Sequence, residues 1–560
     1  MNKKILFFAI NSRYTHSCLA LFYLRTTIAD CGYDYKIVEN SINDQYLDIC
    51  NNIFVEKPDI LVLPIYIWNR DIIEHLFSDI KKILPNLIVV VGGPEASYNA
   101  EYYLNNYNID FLIKGAGEKA FYELAQESFN SAQRLISKPN YAFNEVAFPY
   151  KNQDEEQLKH KYVYYESSRG CPFKCSYCLS SREEQRLEYK NIDTVKDELQ
   201  RLIAFEPTII KFIDRSFNVN QSFAKAVWAY LIDLNPPCTF HFEIHPSFID
   251  QEMLDLLAKA RKQLFQFEIG VQSTNSHTLQ AINRDTDWDS DRHALQNILK
   301  LDNIHFHLDQ IAGLPYEDYQ SLQNSFNSII SLKPDHYQTG ILKVLFGTEM
   351  YEKQKEYDLV YSNKPPYQVY STKWLKYEEL IEYIGVDQIV DTIYNSGHFT
   401  YFITVLFKQS TDIYQSFLLI SMFFQKHKVK KNEKNYQKLF NILAEVVQAM
   451  GLKEIERLYY LDALRLDWAI ISQAHFFPEK LNSDICESFR QETWAIIKEN
   501  RERDFYLHEG IKLSLSELRR SRFFKAVDQS FYEYVAINSF PIEGLIIIND
   551  NKLIKWIKKE

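Results

Sequence analysis

Glycine is scarce, at 15 of 560 residues, which excludes a glycine-rich low-complexity or fibrous chain. Where glycines gather here, they answer a backbone requirement. Cysteine is scarce too: 8 residues are too few for a disulfide scaffold in a chain this long. No window approaches the roughly eighteen uninterrupted apolar residues of a membrane helix. The opening MNKKILFFAINSRY has its short apolar run cut by Asn11 and Arg13, so neither a leader nor a membrane span is expected and the chain reads as cytoplasmic. Positive charge is the minority sign, with Lys plus Arg at 63, Asp plus Glu at 74 and a net charge of −11. The longest basic run is KVKKNEK at Lys428 to Lys434, so bulk charge does not indicate nucleic acid. What is abundant is aromatic, 38 Phe, 38 Tyr and 7 Trp, within 46% hydrophobic residues, which excludes a disordered chain. The length exceeds what one core organises and implies three or four domains.

The first 135 residues alternate apolar runs with helical patterns. Strands are expected at Lys4 to Ile10, Asp34 to Val38, Ile60 to Ile65, Leu87 to Val91 and Phe111 to Ile113. Helices fall between them at Cys18 to Cys31, Tyr46 to Glu56 and Arg70 to Leu84, with another from Glu118. Continuous apolar strands between helices mean a parallel sheet covered on both faces, a doubly wound domain whose ligand lies beyond the strands' carboxyl ends. Residues 136–160 lose periodicity and read as a linker. A second series then runs over 161–364, with strands at Tyr162 to Ser167, Thr208 to Ile213, Thr239 to Ile244, Leu264 to Gly270, His305 to Ala312 and His336 to Val344. Six such βα repeats fit an open or closed parallel barrel. From 365 to 560 the pattern is mainly helical, closing on FPIEGLIIIND, a candidate terminal hairpin.

Three of the cysteines, Cys171, Cys175 and Cys178, stand within YYESSRGCPFKCSYCLSS just beyond a predicted strand. Thiolates so spaced on one loop can converge on a metal centre. A structural zinc site wants four ligands, and only His160 and Cys238 are open to recruitment. Three thiolates on a four-iron cluster instead leave one iron open for a ligand. Buried structural cysteines are the plain alternative.

CPFKCSYC at the end of a first barrel strand resembles the radical S-adenosylmethionine superfamily. The resemblance implies a partial TIM-type (β/α)6 barrel whose three cysteines hold a [4Fe-4S] cluster. Its open iron is chelated by S-adenosylmethionine, which is cleaved reductively to a 5'-deoxyadenosyl radical. It also implies an electron donor such as flavodoxin or ferredoxin. Tyr177 matches the position that packs on the adenine. Asp214, Arg215 and Ser216 in KFIDRSFNVN match the end of the second strand, near the methionine amino group, although the usual glycine pair and glutamate are absent. Glu243 in FHFEIHP ends the third strand, and Glu268, Gln272 and Ser273 in FEIGVQSTN lie on and after the fourth. Carboxylates facing a barrel interior are costly to bury alone, so they pair with a residue such as Arg284 or meet a polar ligand. DQIAGLPYE, with Gly313 and Pro315, matches the turn near the adenine.

Two glycine clusters stand in the first domain, VVVGGPEAS with Gly92, Gly93 and Pro94, and IKGAGEKAF with Gly115, Gly117 and Glu118. Neither is a G-x-G-x-x-G or P-loop motif. Ahead of such a barrel they resemble the Rossmann-like cobalamin-binding domain of one large subfamily, and the resemblance implies strand-end loops that wrap the cofactor. The D-x-H-x-x-G motif that supplies a cobalt ligand elsewhere is missing. His16 in SRYTHSCLAL reads as a loop residue rather than a ligand. PIYIWN, ILKVLFGTEM and PPYQVYSTKWL extend the likeness to an uncharacterised branch whose helical C-terminal domain has no known function. The implied activity is cobalamin-dependent methyl transfer to an unactivated carbon of an unknown substrate. The alternatives are radical chemistry of another type over a scaffold-only first domain, or a non-catalytic iron-sulfur protein.

Overall fold

The structure is a computed structural model that describes residues 3–139, 141–181, 187–284, 286–472, 476–482, 522–527, 530–536, 545–549 and 552–555. Its first sheet contains β1 (Lys4–Asn11), β2 (Asp34–Ser41), β3 (Ile60–Pro64), β4 (Ile88–Gly92), β5 (Phe111–Lys114) and β6 (Leu135–Ser137), in the order β2-β1-β3-β4-β5-β6. All its pairings are parallel. Successive side chains of β1 go to opposite faces. Leu6, Phe8 and Ile10 pack under α2 (Tyr46–Glu56), α3 (Arg70–Ile83), α4 (Pro94–Tyr98) and α5 (Ala100–Asn106). Ile5, Phe7 and Ala9 pack under α1 (Leu19–Thr27) and α6 (Glu118–Gln126). The stretch read as a linker contributes β6, whose three residues pair with Leu112, Ile113 and Lys114. So short a run carries no periodicity to betray it.

The second sheet joins β7 (Tyr162–Tyr165), β10 (Ile209–Phe212), β11 (Thr239–Glu243), β12 (Phe265–Gln272), β13 (His305–Ala312) and β14 (His336–Ile341) in the order β14-β13-β12-β11-β10-β7. It is open, a partial barrel. A small antiparallel pair, β8 (Ser168–Arg169) and β9 (Glu188–Tyr189), flanks the start of the cysteine loop. Along β12, Phe265, Phe267, Ile269 and Val271 are buried while Gln266, Glu268, Gly270 and Gln272 alternate with them on the inner face. That face is polar on the neighbouring strands as well, with Lys211, His241, Glu243, His307 and Asp309 in register across it.

Met1–Ser325 and Gly340–Tyr377 form one compact unit that contains the first sheet and strands β7 to β13 of the second. The loop after β1 closes the free edge of β7: Tyr162 N–H donates to Thr15 O at 2.7 Å, Ser17 Oγ donates to Tyr162 O at 3.0 Å, and His16 Nδ1 lies 2.5 Å from Tyr164 Oη. An exposed strand edge is thereby covered. Phe326–Thr339 and Glu378–Glu560 form the second unit. It is built mainly of helices, among them Thr400–Gln409, Ile413–Lys426, Tyr436–Ala449 and Glu454–Ile471. Its antiparallel strands are β15 (Arg522–Lys525), β16 (Leu545–Asn549) and β17 (Lys552–Lys555), paired in the order β15-β16-β17. FPIEGLIIIND, read as a terminal hairpin, contributes the single strand β16, which pairs with β15 before it and β17 after it. Its residues 540–544 and Asp550 lie outside the described residues. Among the described residues no helix is long and apolar enough to cross a membrane.

Candidate functional site

β7 leads into a turn, 166–170, that ends at Gly170 with φ +100, and the cysteine loop begins at the next residue. The turn is pinned from the barrel by Asp214. Ser167 Oγ and Ser168 Oγ each donate to Asp214 Oδ1 at 2.6 Å, and Ser167 N–H donates to Oδ2 at 3.1 Å. Burial pushes the Asp214 carboxyl up to about 6, against the pull of these bonds. Asp214, expected beside the methionine amino group, is therefore saturated by the turn that carries the cysteines. Ser216 likewise turns inward on the backbone, donating to Arg215 O at 2.6 Å.

Cys171, Cys175 and Cys178 carry their sulfur as thiols rather than disulfides, partly buried on one loop that Cys178 N–H tightens by donating to Cys175 O at 3.1 Å. Burial raises the Cys171 thiol, and the nearby Cys178 and Cys175 raise it further. Burial also raises Cys175, while Arg284 and Tyr177 beside its sulfur work in the opposite direction. Among the described residues no three His, Cys, Asp or Glu side chains converge as they would on a single ion. Three thiols carried on one loop are the sulfur donors that a four-iron cluster takes, each for a different iron, so this donor set fits that group. His160 and Cys238, the zinc alternatives, precede β7 and β11 at the opposite, amino ends of the strands. Tyr177 packs on a core that includes Leu279, Leu314, Met350 and Val369.

Of the two alternatives for the barrel carboxylates, an ion pair or a polar ligand, Glu243 and Glu268 have partners other than Arg284 among the described residues. Arg284 donates instead to the carbonyl of Gly270, because the register shifts there and turns that carbonyl toward it. Gln272, at the same bulge, has φ +69 and folds its amide over Gly270, where a Cβ would collide with it. Glu243 lies 3.6 Å from Arg215, and burial pushes it up to about 7. Glu268 is hydrogen-bonded to His241 Nε2 at 3.0 Å, which holds its carboxyl down at about 2. Burial, with the Glu268 charge second, raises the neighbouring Asp309 well above its ordinary value. The mouth thus offers two carboxyls with raised pKa, Asp309 and Glu243, one with lowered pKa, Glu268, and the guanidinium groups of Arg215 and Arg284. Gly313, at φ +87, completes it against Val369 and Leu342.

In the first sheet the order β2-β1-β3 puts the topological switch between β1 and β3, where ligands of open α/β sheets bind. Asn69 straps that point by donating to Ile10 O and Pro64 O, both at 3.1 Å. Tyr66 and Trp68 stack there with centroids 4.4 Å apart and planes 7° from parallel. The two glycine clusters differ. Gly93, at φ +91, is required by packing, since a Cβ would stand 2.6 Å from Ile65 O; Gly92 faces Ile113 O, and Pro94 starts α4. Gly115, at φ +80, has open space where its Cβ would be, a backbone that a large ligand can approach. Gly117 packs on Leu24 and Ile113, and Glu118 is ion-paired with Arg169 at 2.9 Å. The open backbone at Gly115 and the exposed Trp68, stacked on the half-buried Tyr66, fit a large flat cofactor at this edge. Arg169 escaped the sequence reading; its one signal was adjacency to Gly170 and Cys171.

Residues 5–125 match the family described as B12 binding domain, 165–329 the radical SAM superfamily, and 355–541 a protein of unknown function family, DUF4080. Over 335 residues the chain is 23% identical to the cobalamin-dependent radical SAM methyltransferase TokK of Streptomyces tokunonensis, covering 51% of this chain and 48% of that protein. It is 22% identical over 421 residues to the 2-(S-pantetheinyl)-carbapenam-3-carboxylate methyltransferase of Streptantibioticus cattleyicolor, covering 64% and 60%. The chain therefore spans about half to three-fifths of these relatives' lengths. Its fold is similar to that of the cobalamin-dependent S-adenosylmethionine radical enzyme OxsB with aqua-cobalamin and S-adenosylmethionine bound. That match has a TM-score of 0.57 and 14% identity, and covers 89% of this chain and 81% of OxsB.

Proposed function

We propose that this chain, a radical SAM superfamily protein with a B12 binding domain ahead of its barrel, transfers a methyl group to an unactivated carbon in a cobalamin-dependent reaction that also cleaves S-adenosylmethionine. The observation that carries the reading is the meeting of two strand-end edges. The cysteine loop at the barrel mouth and the Gly115 loop of the first sheet lie one ion pair apart, through Arg169 and Glu118. Cys171, Cys175 and Cys178 would hold the [4Fe-4S] cluster, and the backbone at Gly115 with Tyr66 and Trp68 would receive cobalamin. When bound, the cluster supplies the electron for sulfonium cleavage and cobalamin supplies the transferable methyl group. Arg215 and Arg284 offset the negative charge of thiolate sulfur, and Asp309 and Glu243, both with raised pKa, offer carboxyl groups to a polar ligand in the mouth. The substrate is open, and a low-potential donor of the flavodoxin or ferredoxin type would deliver the electron in a reducing cytoplasm.

The required packing of Gly93 on Ile65 and the missing D-x-H-x-x-G motif favour a second reading, radical chemistry over a first domain that is scaffold only. One experiment separates the two. The protein is purified anaerobically and reconstituted with iron, sulfide and hydroxocobalamin; free cofactor is removed; iron, sulfide and cobalt are counted per chain; and 5'-deoxyadenosine is assayed on reduction with S-adenosylmethionine. About four irons, stoichiometric cobalt and 5'-deoxyadenosine are expected. Iron and cleavage without cobalt would leave the scaffold reading, and neither would return the cysteines to a structural role.

A further inference from the structure

The turn that carries the cysteine loop has two anchors of different origin. One is Asp214, at the end of β10, inside the same barrel. The other reaches into the first sheet. Arg169 forms a two-pronged pair with Glu166, Nε to Oε1 at 3.0 Å and Nη2 to Oε2 at 2.7 Å, and the same Nη2 meets Glu118 Oε1 at 2.9 Å. Both carboxylates and the guanidinium are largely withdrawn from water. The guanidinium carbon stands 4.8 Å from the Phe143 ring centroid and 5.7 Å from that of Tyr23, which fixes its plane. Nη1 is buried and has no hydrogen-bond partner among the described residues. Such a cluster has one low-energy arrangement, because moving either end strands a buried charge.

Its ends are placed where they transmit. Glu118 follows the Gly115 loop directly as the first residue of α6, and Gly115 is the glycine whose side is open. Arg169 precedes Gly170 and Cys171 directly. A displacement of either loop must move the other or break the pair. Resting on the function proposed above, we propose that Arg169 and Glu118 are positioning residues that couple the two ligand sites. Occupation of the first sheet's edge by cobalamin and of the cysteine loop by S-adenosylmethionine alter one another's affinity through this ion pair. Linkage requires the effect to be equal in both directions.

The test uses full-length, cluster-reconstituted protein with the cluster oxidised, so that S-adenosylmethionine binds without turnover. The dissociation constant of hydroxocobalamin is measured with and without saturating S-adenosylmethionine, and that of S-adenosylmethionine with and without saturating hydroxocobalamin. Wild-type protein is expected to give one factor in both directions, between about 5- and 150-fold. In Glu118→Gln and Arg169→Gln the factor should fall to near one while four irons and each ligand's separate binding persist, a pattern that a purely structural defect would not give. Arg169→Lys keeps the charge without the fork and should retain part of the factor, which also covers the case of a Gln variant that does not fold. A wild-type factor of one with both ligands bound, or variants that keep the wild-type factor, would overturn the coupling alone. Failure of wild-type protein to bind cobalamin would overturn the functional reading and the coupling with it.

Discussion

Tyr367 donates a 2.5 Å hydrogen bond to Glu95 Oε1, joining residues 272 apart in sequence, and both side chains are buried. Arg70 Nη1 meets the same oxygen at 2.8 Å and Arg70 Nε pairs with Glu74 at 2.6 Å, while the rings of Tyr102 and Tyr103 flank the guanidinium. The carboxylate at the foot of α4 is thereby satisfied from α3 and from the segment after the barrel. In Tyr367→Phe the buried Glu95 loses a donor and gains no water. The expected cost is about 1–3 kcal/mol, read as a lower unfolding temperature of the unit that contains both residues. An unfolding profile indistinguishable from wild type would mean that Arg70 alone suffices for Glu95.

Gly93 and Gly115 share a positive φ but should fail differently. In Gly93→Ala the new methyl meets Ile65 O at 2.6 Å and Ile65 N at 2.9 Å, backbone atoms that cannot rotate away, so the first unit should lose much of its stability or not accumulate as folded protein. Gly115→Ala meets no protein atom within 4 Å and suffers only the left-handed backbone penalty, on the order of 1–2 kcal/mol. It should fold, bind four irons and bind hydroxocobalamin more weakly, which absorbance titration after reconstitution would measure. Equal cobalamin affinity in Gly115→Ala and wild type would remove that loop from the proposed contact.

The legibility of this chain divides along physical lines. Parallel strands buried on both faces announce themselves as unbroken apolar runs, so β1, β3 and β4 were readable to within a residue. The cysteine spacing needed no tertiary knowledge, since all three thiols share one loop. β6 was invisible, because Leu135, Ile136 and Ser137 become a strand only when β5 is beside them. Asp214 and Glu118 read as ligand residues because they follow strands closely, Asp214 after β10 and Glu118 at the start of the helix after β5, while the partners that hold them, Ser167 and Ser168 for one and Arg169 for the other, come from a loop distant in sequence. Arg284 offers itself as a carboxylate partner because charge sign is visible in sequence, whereas the bulge at Gly270 that gives it a carbonyl is not.

Asp467 carries a pH prediction for the second unit. It is fully buried and accepts from Tyr401 N–H at 3.0 Å and Phe402 N–H at 2.9 Å at the start of helix Thr400–Gln409. Those bonds favour the charged form, yet burial outweighs them and pushes the carboxyl up to about 8. The folded chain then holds a proton that the unfolded chain releases near the ordinary aspartate value of about 4. Between those values the folded state binds more protons, so stability is full at the acid end of the window and falls as pH rises toward 8. Urea midpoints at several pH values should show that fall in wild type and a flatter profile in Asp467→Asn. An identical slope in the variant would assign the proton to another group.

The last prediction separates holding the cysteine loop from contacting what binds there. Replacing Cys171, Cys175 or Cys178 with Ala removes an iron ligand and should abolish both the cluster absorbance and S-adenosylmethionine cleavage. Asp214→Asn removes no ligand. It leaves one acceptor oxygen where Ser167 and Ser168 now share a carboxylate, so the turn before Cys171 should loosen. The expected result is lower iron retention on gel filtration and faster loss to a chelator, with the S-adenosylmethionine affinity of the protein that keeps its cluster unchanged. Asp214→Ala, with no acceptor at all, should be worse in the first respect and the same in the second. Full iron with weakened S-adenosylmethionine binding in Asp214→Asn would reverse this assignment and make Asp214 a ligand residue. The geometry argues otherwise, because the carboxylate already receives a backbone N–H and two hydroxyls from the turn and is 1% exposed.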